Sequence, residues 1–255
     1  MSNPSLQNKA ALVTGASKGI GRAAAERLGR DGAFVIVNYS SDKAGAEATV
    51  KAITAKGGKA VALQGDISKV ANIKKMFAEI AEILKKEKLS ALDILVNNAG
   101  VFPMGTLFDT KEEDFDKIFA VNVKGLFFTT QEAARLMGQG GRVINISTTL
   151  TRVGSNSMLA YAASKGAVDI LTRDMAMALG PKGITVNAVN PGLTRTEGTA
   201  GFTTDNAAMQ MFAEKTVLGR IGEPQDIADV IAFLANDNSR WVTAQSIEAS
   251  GGYHL

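Results

Sequence analysis

Tyr161 and Lys165, in the run YAASK (161–165), stand four residues apart in helical sequence. A helix places such a pair on one face, one turn apart. The chemistry such a pair could do is proton transfer. A free phenol, with a pKa of about 10, is a poor acid–base group near neutrality. A neighbouring ammonium favours the ionised phenol, so Lys165 is expected to lower the Tyr161 pKa towards the range where general acid–base catalysis works. The spacing alone would equally suit an ordinary surface pair. The rest of the composition narrows the choice: the chain has no cysteine, and its one histidine, His254, sits beside the C-terminus. No cluster of His, Cys, Asp and Glu has metal-ligand spacing, so no metal is expected. Ser147 follows the apolar run RVINI (142–146), which puts its hydroxyl at the carboxyl end of a strand, where open α/β sheets bind ligands.

These side chains need a scaffold, and the hydrophobic pattern supplies one. Short β-rich runs, AALVT (10–14), FVIVN (34–38), AVALQ (60–64), DILVN (93–97), RVINI (142–146), ITVNAV (184–189) and QSIEA (245–249), alternate with amphipathic stretches. Helices are expected near 20–30, 43–56, 69–87, 111–137 (two helices, with Asn122 between them), 159–179 and 224–235. Strands separated by helices at this rhythm form parallel βαβ units. Nearly continuous Val, Ile, Leu and Ala runs suit strands covered on both faces. The expected architecture is one domain spanning 1–255, a doubly wound α/β (Rossmann) fold with a seven-stranded parallel sheet in the order 3-2-1-4-5-6-7. One segment breaks the rhythm: 192–216 is rich in Gly and Thr, then turns helical. A long excursion after a strand's carboxyl end is where a substrate lid would sit, although a plain surface insertion would look similar.

The first strand runs into TGASKGIG (14–21), a G-x-x-x-G-x-G turn leading into a helix. Gly15, Gly19 and Gly21 permit tight turns and let a pyrophosphate approach backbone N–H groups at the helix N-terminus, flanked by Ser17, Lys18 and Ile20. No Gly-Lys-Ser/Thr closes the turn, so it is not a P-loop. An NAD site usually carries an acid at the end of the second strand for the ribose 2′-hydroxyl. Here that strand leads into Ser40 and Ser41, with no carboxylate before Asp42. A 2′-phosphate could be held by the Lys18 ammonium and the Ser40 or Ser41 hydroxyl. The expected cofactor is therefore NADP(H), and Asp42 is expected to cap the following helix.

With these residues in view, the chain closely resembles the short-chain dehydrogenase/reductase family from about residue 8 to 252. TGASKGIG, Asp66, NNAG (97–100), Asn122, Ser147, YAASK and NPGLTRT (190–196) carry the likeness, in family order and spacing. It is nearest the branch of about 250 residues that includes 3-oxoacyl-carrier-protein reductases, glucose dehydrogenases and carbonyl reductases. The resemblance implies that Asp66 binds the adenine amino group and the Ile67 backbone its ring. It implies that Asn98, Ala99 and Gly100 line the adenosine ribose, and that Pro191, Gly192 and Thr194 hold the nicotinamide. It assigns Ser147, Tyr161, Lys165 and Asn122 to catalysis, Asn122 by holding a water that links Lys165 to solvent. It also implies a homotetramer that pairs the helices of 111–137 and 159–179, some of whose apolar residues (Ala162, Leu171, Met175, Met177) could be subunit surface. The family commonly has an acid before its final Gly-Gly. This chain reads EASGGY, with Ser250 there, a change expected to bear on C-terminal packing or subunit contact rather than on activity.

The activity expected is reversible, NADPH-dependent reduction of a ketone or aldehyde, with Tyr161 as proton donor. An NAD-linked dehydrogenase working oxidatively is the nearest rival, and a non-catalytic dinucleotide-binding regulator the rival from another class. Enoyl reductases of the family space tyrosine and lysine seven apart, and sugar-nucleotide epimerases are longer with a different glycine spacing. Met and Phe in 192–216 (Phe202, Met209, Met211, Phe212) hint at an apolar substrate. The charge balance, 28 basic against 25 acidic residues, gives no argument for nucleic acid. The cluster KKEK (85–88) reads as a solvated helix end. With no cysteine, no signal peptide apparent and no apolar run of about 18 residues, the expected setting is the cytoplasm, with no membrane span.

Overall fold

Each of the seven apolar runs forms a strand in the computed structural model, which describes residues 5–204 and 206–254. Residues 1–4, Asp205 and Leu255, which fall within the one-domain and lid assignments, lie outside the described residues. The strands are β1 (Ala10–Val13), β2 (Phe34–Tyr39), β3 (Lys59–Gln64), β4 (Ile94–Asn97), β5 (Arg142–Ile146), β6 (Thr185–Pro191) and β7 (Ser246–Ala249). They make one sheet in the order β3-β2-β1-β4-β5-β6-β7. All neighbours are parallel, with Val13 opposite Val37 and Val96. The strands inside the sheet are buried throughout, whereas the edge strands β3 and β7 are only half covered, having one strand neighbour each.

The helices are α1 (Gly19–Arg30), α2 (Lys43–Thr54), α3 (Val70–Lys86), α4 (Glu112–Phe119), α5 (Leu126–Leu136), α6 (Leu159–Leu179), α7 (Ala200–Thr203), α8 (Asn206–Glu214) and α9 (Pro224–Ala235). Burial divides the core into two apolar layers, as a doubly wound sheet requires. On one face Leu28 of α1, Ile53 of α2 and Ile231 of α9 pack on Val13 and Val35. On the other, Ile80 of α3, Leu126 of α5 and Val168 of α6 pack on Leu12 and Leu95. Local sequence sets the helix starts. Asp42 accepts a 2.9 Å bond from the Gly45 N–H and caps α2, as expected. Pro224 opens α9 behind a reciprocal cap between Glu223 and Asp226.

The stretch 111–137 does split into two helices, and the joint between α4 and α5 is a π turn, Ala120–Gly125, that holds Asn122. Behind it, a polar ladder crosses the centre of the sheet. The Asn97 amide donates to Asn145 Oδ1 (2.9 Å) and Thr130 Oγ1 (2.8 Å), and the Asn145 amide donates to Thr172 Oγ1 (2.9 Å). These buried bonds join β4 and β5 to α5 and α6, the helix that carries Tyr161 and Lys165.

Candidate active site

A cleft of about 920 Å³ opens along the carboxyl ends of the strands. Its walls include every candidate catalytic and cofactor-binding residue except Gly21 and Asn122, which stand just behind them.

The glycine turn between β1 and α1 forms one wall. Gly15 adopts φ +61°, and a Cβ there would lie 2.9 Å from Ala99 Cα. A Cβ on Gly21 would lie 2.3 Å from Asn98 Nδ2 and 2.5 Å from the Gly15 carbonyl. Glycine at both positions lets the turn nest against the NNAG segment. Asn98 donates to the carbonyls of Thr14 (2.9 Å) and Gly15 (3.0 Å), and Thr14 Oγ1 accepts from the Asn98 and Ala99 N–H groups. The N-cap of α1, Lys18, makes no side-chain cap, so the helix start presents N–H groups to the cleft. Lys18 is exposed and has no ion-pair partner among the described residues. Ser40, Ser41, Asp66 and Ile67 continue the wall, with Asp66 accepting from the Ser68 N–H at 2.9 Å. A cradle of close-packed glycines ending on a helix N-terminus fits a dinucleotide pyrophosphate.

At the other end, β5 delivers Ser147 and α6 delivers Tyr161 and Lys165. Lys165 is 4% exposed, and its Nζ donates to the Ile146 carbonyl at 2.6 Å, 5.9 Å from the Tyr161 ring centroid. Buried Ser147 donates to the Lys165 carbonyl at 3.3 Å. Phe102 meets the Tyr161 ring edge-on at 5.9 Å. Pro191, Gly192 and Thr194 face this group from the end of β6, Thr194 donating to the Gly192 carbonyl at 3.0 Å. Asn122 is buried with its side chain committed: it accepts from Val101 N–H (2.9 Å) and donates to Val101 O (3.0 Å) and Ser164 Oγ (3.1 Å).

Comparison with known proteins decides what this arrangement belongs to. The family model described as enoyl-(acyl carrier protein) reductase matches residues 15–254. The chain is a short-chain dehydrogenase/reductase. It is 40% identical over 261 residues to versicolorin reductase 1 of Aspergillus parasiticus, covering 98% of each. Among solved structures it is similar to LugOII, described as a promiscuous reductase catalysing keto-reduction at C1 in lugdunomycin biosynthesis (42% identity, TM-score 0.94, 98% of this chain and 100% of that one). It is also similar to the angucycline C-6 ketoreductase LanV with bound NADP (41% identity, TM-score 0.93, 98% and 97%).

In this dehydrogenase/reductase the charge states differ from the sequence expectation. Tyr161 is not lowered: burial pushes its phenol up to about 12, against the pull of a Thr148 hydrogen bond. Burial likewise pushes Lys165 down to about 8, opposed by Asp169. The ammonium lies 5.9 Å from the ring centre and spends a short bond on Ile146, so desolvation outweighs charge attraction at both groups. Lys165 still holds its proton at pH 7.

Several residues of the dehydrogenase/reductase site escaped the sequence reading. Glu197, from the segment after β6, accepts from the Gly19 N–H at 3.1 Å and thus lies on the start of α1. Nothing local announces a contact across 178 positions. Asn38 is buried in β2, accepts from the Gly15 N–H (3.3 Å) and donates to the Gly65 carbonyl (3.1 Å). Its signal was available, as a polar residue ending an apolar run. Tyr253 also lines the cleft, brought there by the C-terminal tail. In the 192–216 segment Phe202 and Phe212 face the cleft, whereas Met211 is exposed and Met209 meets Arg195 Nη1 at 3.3 Å. His254 stacks edge-on against Tyr253, and no metal-ligand cluster exists among the described residues. No helix there is long and apolar enough to cross a membrane.

Proposed function

We propose that the chain is an NADP(H)-dependent carbonyl reductase that converts a ketone or aldehyde to an alcohol, reversibly, with Tyr161 as proton donor. The observation that carries this reading is the convergence of Ser147, Tyr161 and Lys165 at one end of a cleft whose other end is the glycine turn. The relatives described as ketoreductases, one of them with bound NADP, support the same direction and cofactor. Lys18, Ser40 and Ser41 would take the 2′-phosphate, the N–H groups of the turn the pyrophosphate, and Asp66 with Ile67 the adenine. Asn98, Ala99 and Gly100 would border the adenosine ribose, and Pro191, Gly192 and Thr194 the nicotinamide.

The bound nicotinamide supplies the hydride and, once oxidised, a positive charge. Tyr161, neutral well above pH 7, holds its proton ready for the carbonyl oxygen. Ser147 gives up a long bond to the Lys165 carbonyl and donates to the same oxygen, stabilising the alkoxide as it forms. Lys165, charged at neutral pH, favours the tyrosinate left after transfer. Asn122 would hold the water that links Lys165 to solvent, and with its side chain engaged by Val101 and Ser164 the group it would offer is its main-chain carbonyl. The segment 192–216 acts as the substrate lid. The protein works in the cytoplasm as a homotetramer. Exposed Ile170 and Met177 on α6, Phe115 on α4 and Phe127 on α5 supply apolar surface for pairing, while Met175 is core and Leu171 packs against it.

The test is NADPH oxidation against a panel of ketones, β-ketoesters and diketones. Tyr161→Phe should cost about 10²–10⁴-fold in kcat. A variant with full activity, or a wild type inert towards the whole panel, would overturn the mechanism.

A further inference from the structure

The C-terminal tail turns back into the cleft. Gly251 and Gly252 both take positive φ, +67° and +81°, a reversal that side-chain-bearing residues rarely adopt. The turn leaves Tyr253 tied through its backbone. Its N–H donates to Ser250 Oγ at 3.1 Å, and its carbonyl accepts from Arg152 Nη2 at 3.1 Å. An antiparallel bridge joins it to Thr216. Arg152 is itself fixed by two bonds to Glu248, at 2.8 and 2.9 Å. Arg152 lies five residues beyond Ser147, and Thr216 follows the 192–216 helices, so the tail is fastened to both flanks of the substrate end. Ser250 is therefore part of what aims Tyr253.

The Tyr253 ring lies 5.9 Å from that of Phe212, tilted by 30°. It lines the cleft together with Phe102, Leu150, Met158 and Phe202. Its hydroxyl makes no hydrogen bond among the described residues, although the backbone around it is held at every point. Aromatic walls of this kind favour a flat ring, and an unused phenol hydroxyl within them offers a hydrogen bond to a ligand oxygen.

We infer that Tyr253 is a specificity-determining residue that selects bicyclic or larger aromatic ketones carrying a ring hydroxyl. Its ring would stack on the substrate and its hydroxyl would bond the substrate's distal oxygen. The inference rests on the carbonyl-reductase reading and deepens it by naming a substrate class.

Isothermal titration into protein saturated with NADP⁺, where a ketone binds without turnover, tests it. The probes are α-tetralone, a hydroxy-α-tetralone with its hydroxyl on the ring remote from the carbonyl, and ethyl acetoacetate. Tyr253→Phe keeps the ring and should weaken only the hydroxylated ketone, by about fivefold. Tyr253→Ala should weaken both tetralones, by about tenfold for the unsubstituted one. Ethyl acetoacetate should stay within about twofold in both variants, because it is too small to use the distal hydroxyl or ring. Equal losses for all three ligands would make the tail a mere structural tie, and unchanged binding, or no tetralone binding by the wild type, would equally overturn the assignment. Wild-type protein that binds tetralones yet oxidises no NADPH would instead sink the reductase reading and leave Tyr253 standing as a binding residue.

Discussion

Lys165→Met removes a buried ammonium while keeping most of its stem, and the outcome is legible in stability as well as in turnover. Burial lowers the Lys165 pKa from 10.5 to about 8, a difference of about 3 kcal/mol between its two protonation states. Below pH 8 folded and unfolded chains both carry the charge, and the folded state bears the full desolvation cost. As pH rises from 8 towards 10.5 the unfolded chain binds the extra proton, so stability from this group rises with pH. Between pH 7 and 9.5 the gain is about 2 kcal/mol. The Met variant has no such term. Its stability relative to wild type should therefore fall by about 2 kcal/mol across that interval. Loss of the bond to the Ile146 carbonyl offsets the relief by about 1–3 kcal/mol, equally at every pH, so the slope carries the test. Urea unfolding of the cofactor-free protein followed by far-ultraviolet circular dichroism is the assay, because the single tryptophan, Trp241, is 97% exposed and reports little. Parallel stability curves for the two proteins would refute the claim that burial governs this lysine. The same variant should have lost its reductase activity.

Lys18→Ala should weaken NADPH by at least about tenfold and NADH by much less, since a charged partner to a phosphate contributes about 1.5–3 kcal/mol; equal losses in steady-state kinetics would undo the 2′-phosphate assignment. Glu197→Gln removes a negative charge from the start of α1, where a pyrophosphate would compete for the same N–H groups. Binding of NADPH, followed by fluorescence, should tighten about two- to fivefold, and weaker binding would mean that Glu197 supports the cofactor. Asn38→Leu leaves the Gly15 N–H and Gly65 carbonyl without their partner in the core and should cost about 3 kcal/mol in urea unfolding. A loss under about 1 kcal/mol would show that water replaces the amide.

What was legible in the sequence was whatever local periodicity determines. All seven strands form within two residues of the apolar runs, because a strand buried on both faces must be apolar along its length. Asp42 as a cap and the break between α4 and α5 were legible for the same reason: both are set by neighbours within a few residues. Proton affinities were not. The expectation that Lys165 lowers Tyr161 came from a spacing of four, whereas burial in the folded chain pushes the two groups the other way, and what covers them, such as Phe102 on the Tyr161 ring and the Ile146 carbonyl on Lys165, is not near in sequence. Glu197 on Gly19 and Arg152 on the Tyr253 carbonyl escaped for a related reason, since each depends on where two distant loops meet. How Asn122 is held was not legible either, since only the folded packing brings its side chain against Val101 and Ser164.

The polar ladder through Asn97, Asn145, Thr130 and Thr172 separates what can change in this protein from what cannot. A slip of one residue between β4 and β5 would leave the two amides, Asn97 and Asn145, mispaired in an apolar interior, so the spacing of Ser147 from the Tyr161–Lys165 helix is protected by a penalty remote from the reaction. The stretches bearing on recognition, 148–158, 192–216 and the C-terminal tail, hang outside that lock. On the proposed mechanism, variation directed at those three stretches should alter which ketone is accepted while Ser147, Tyr161 and Lys165 stay in register, and a library for new substrates should be confined to them.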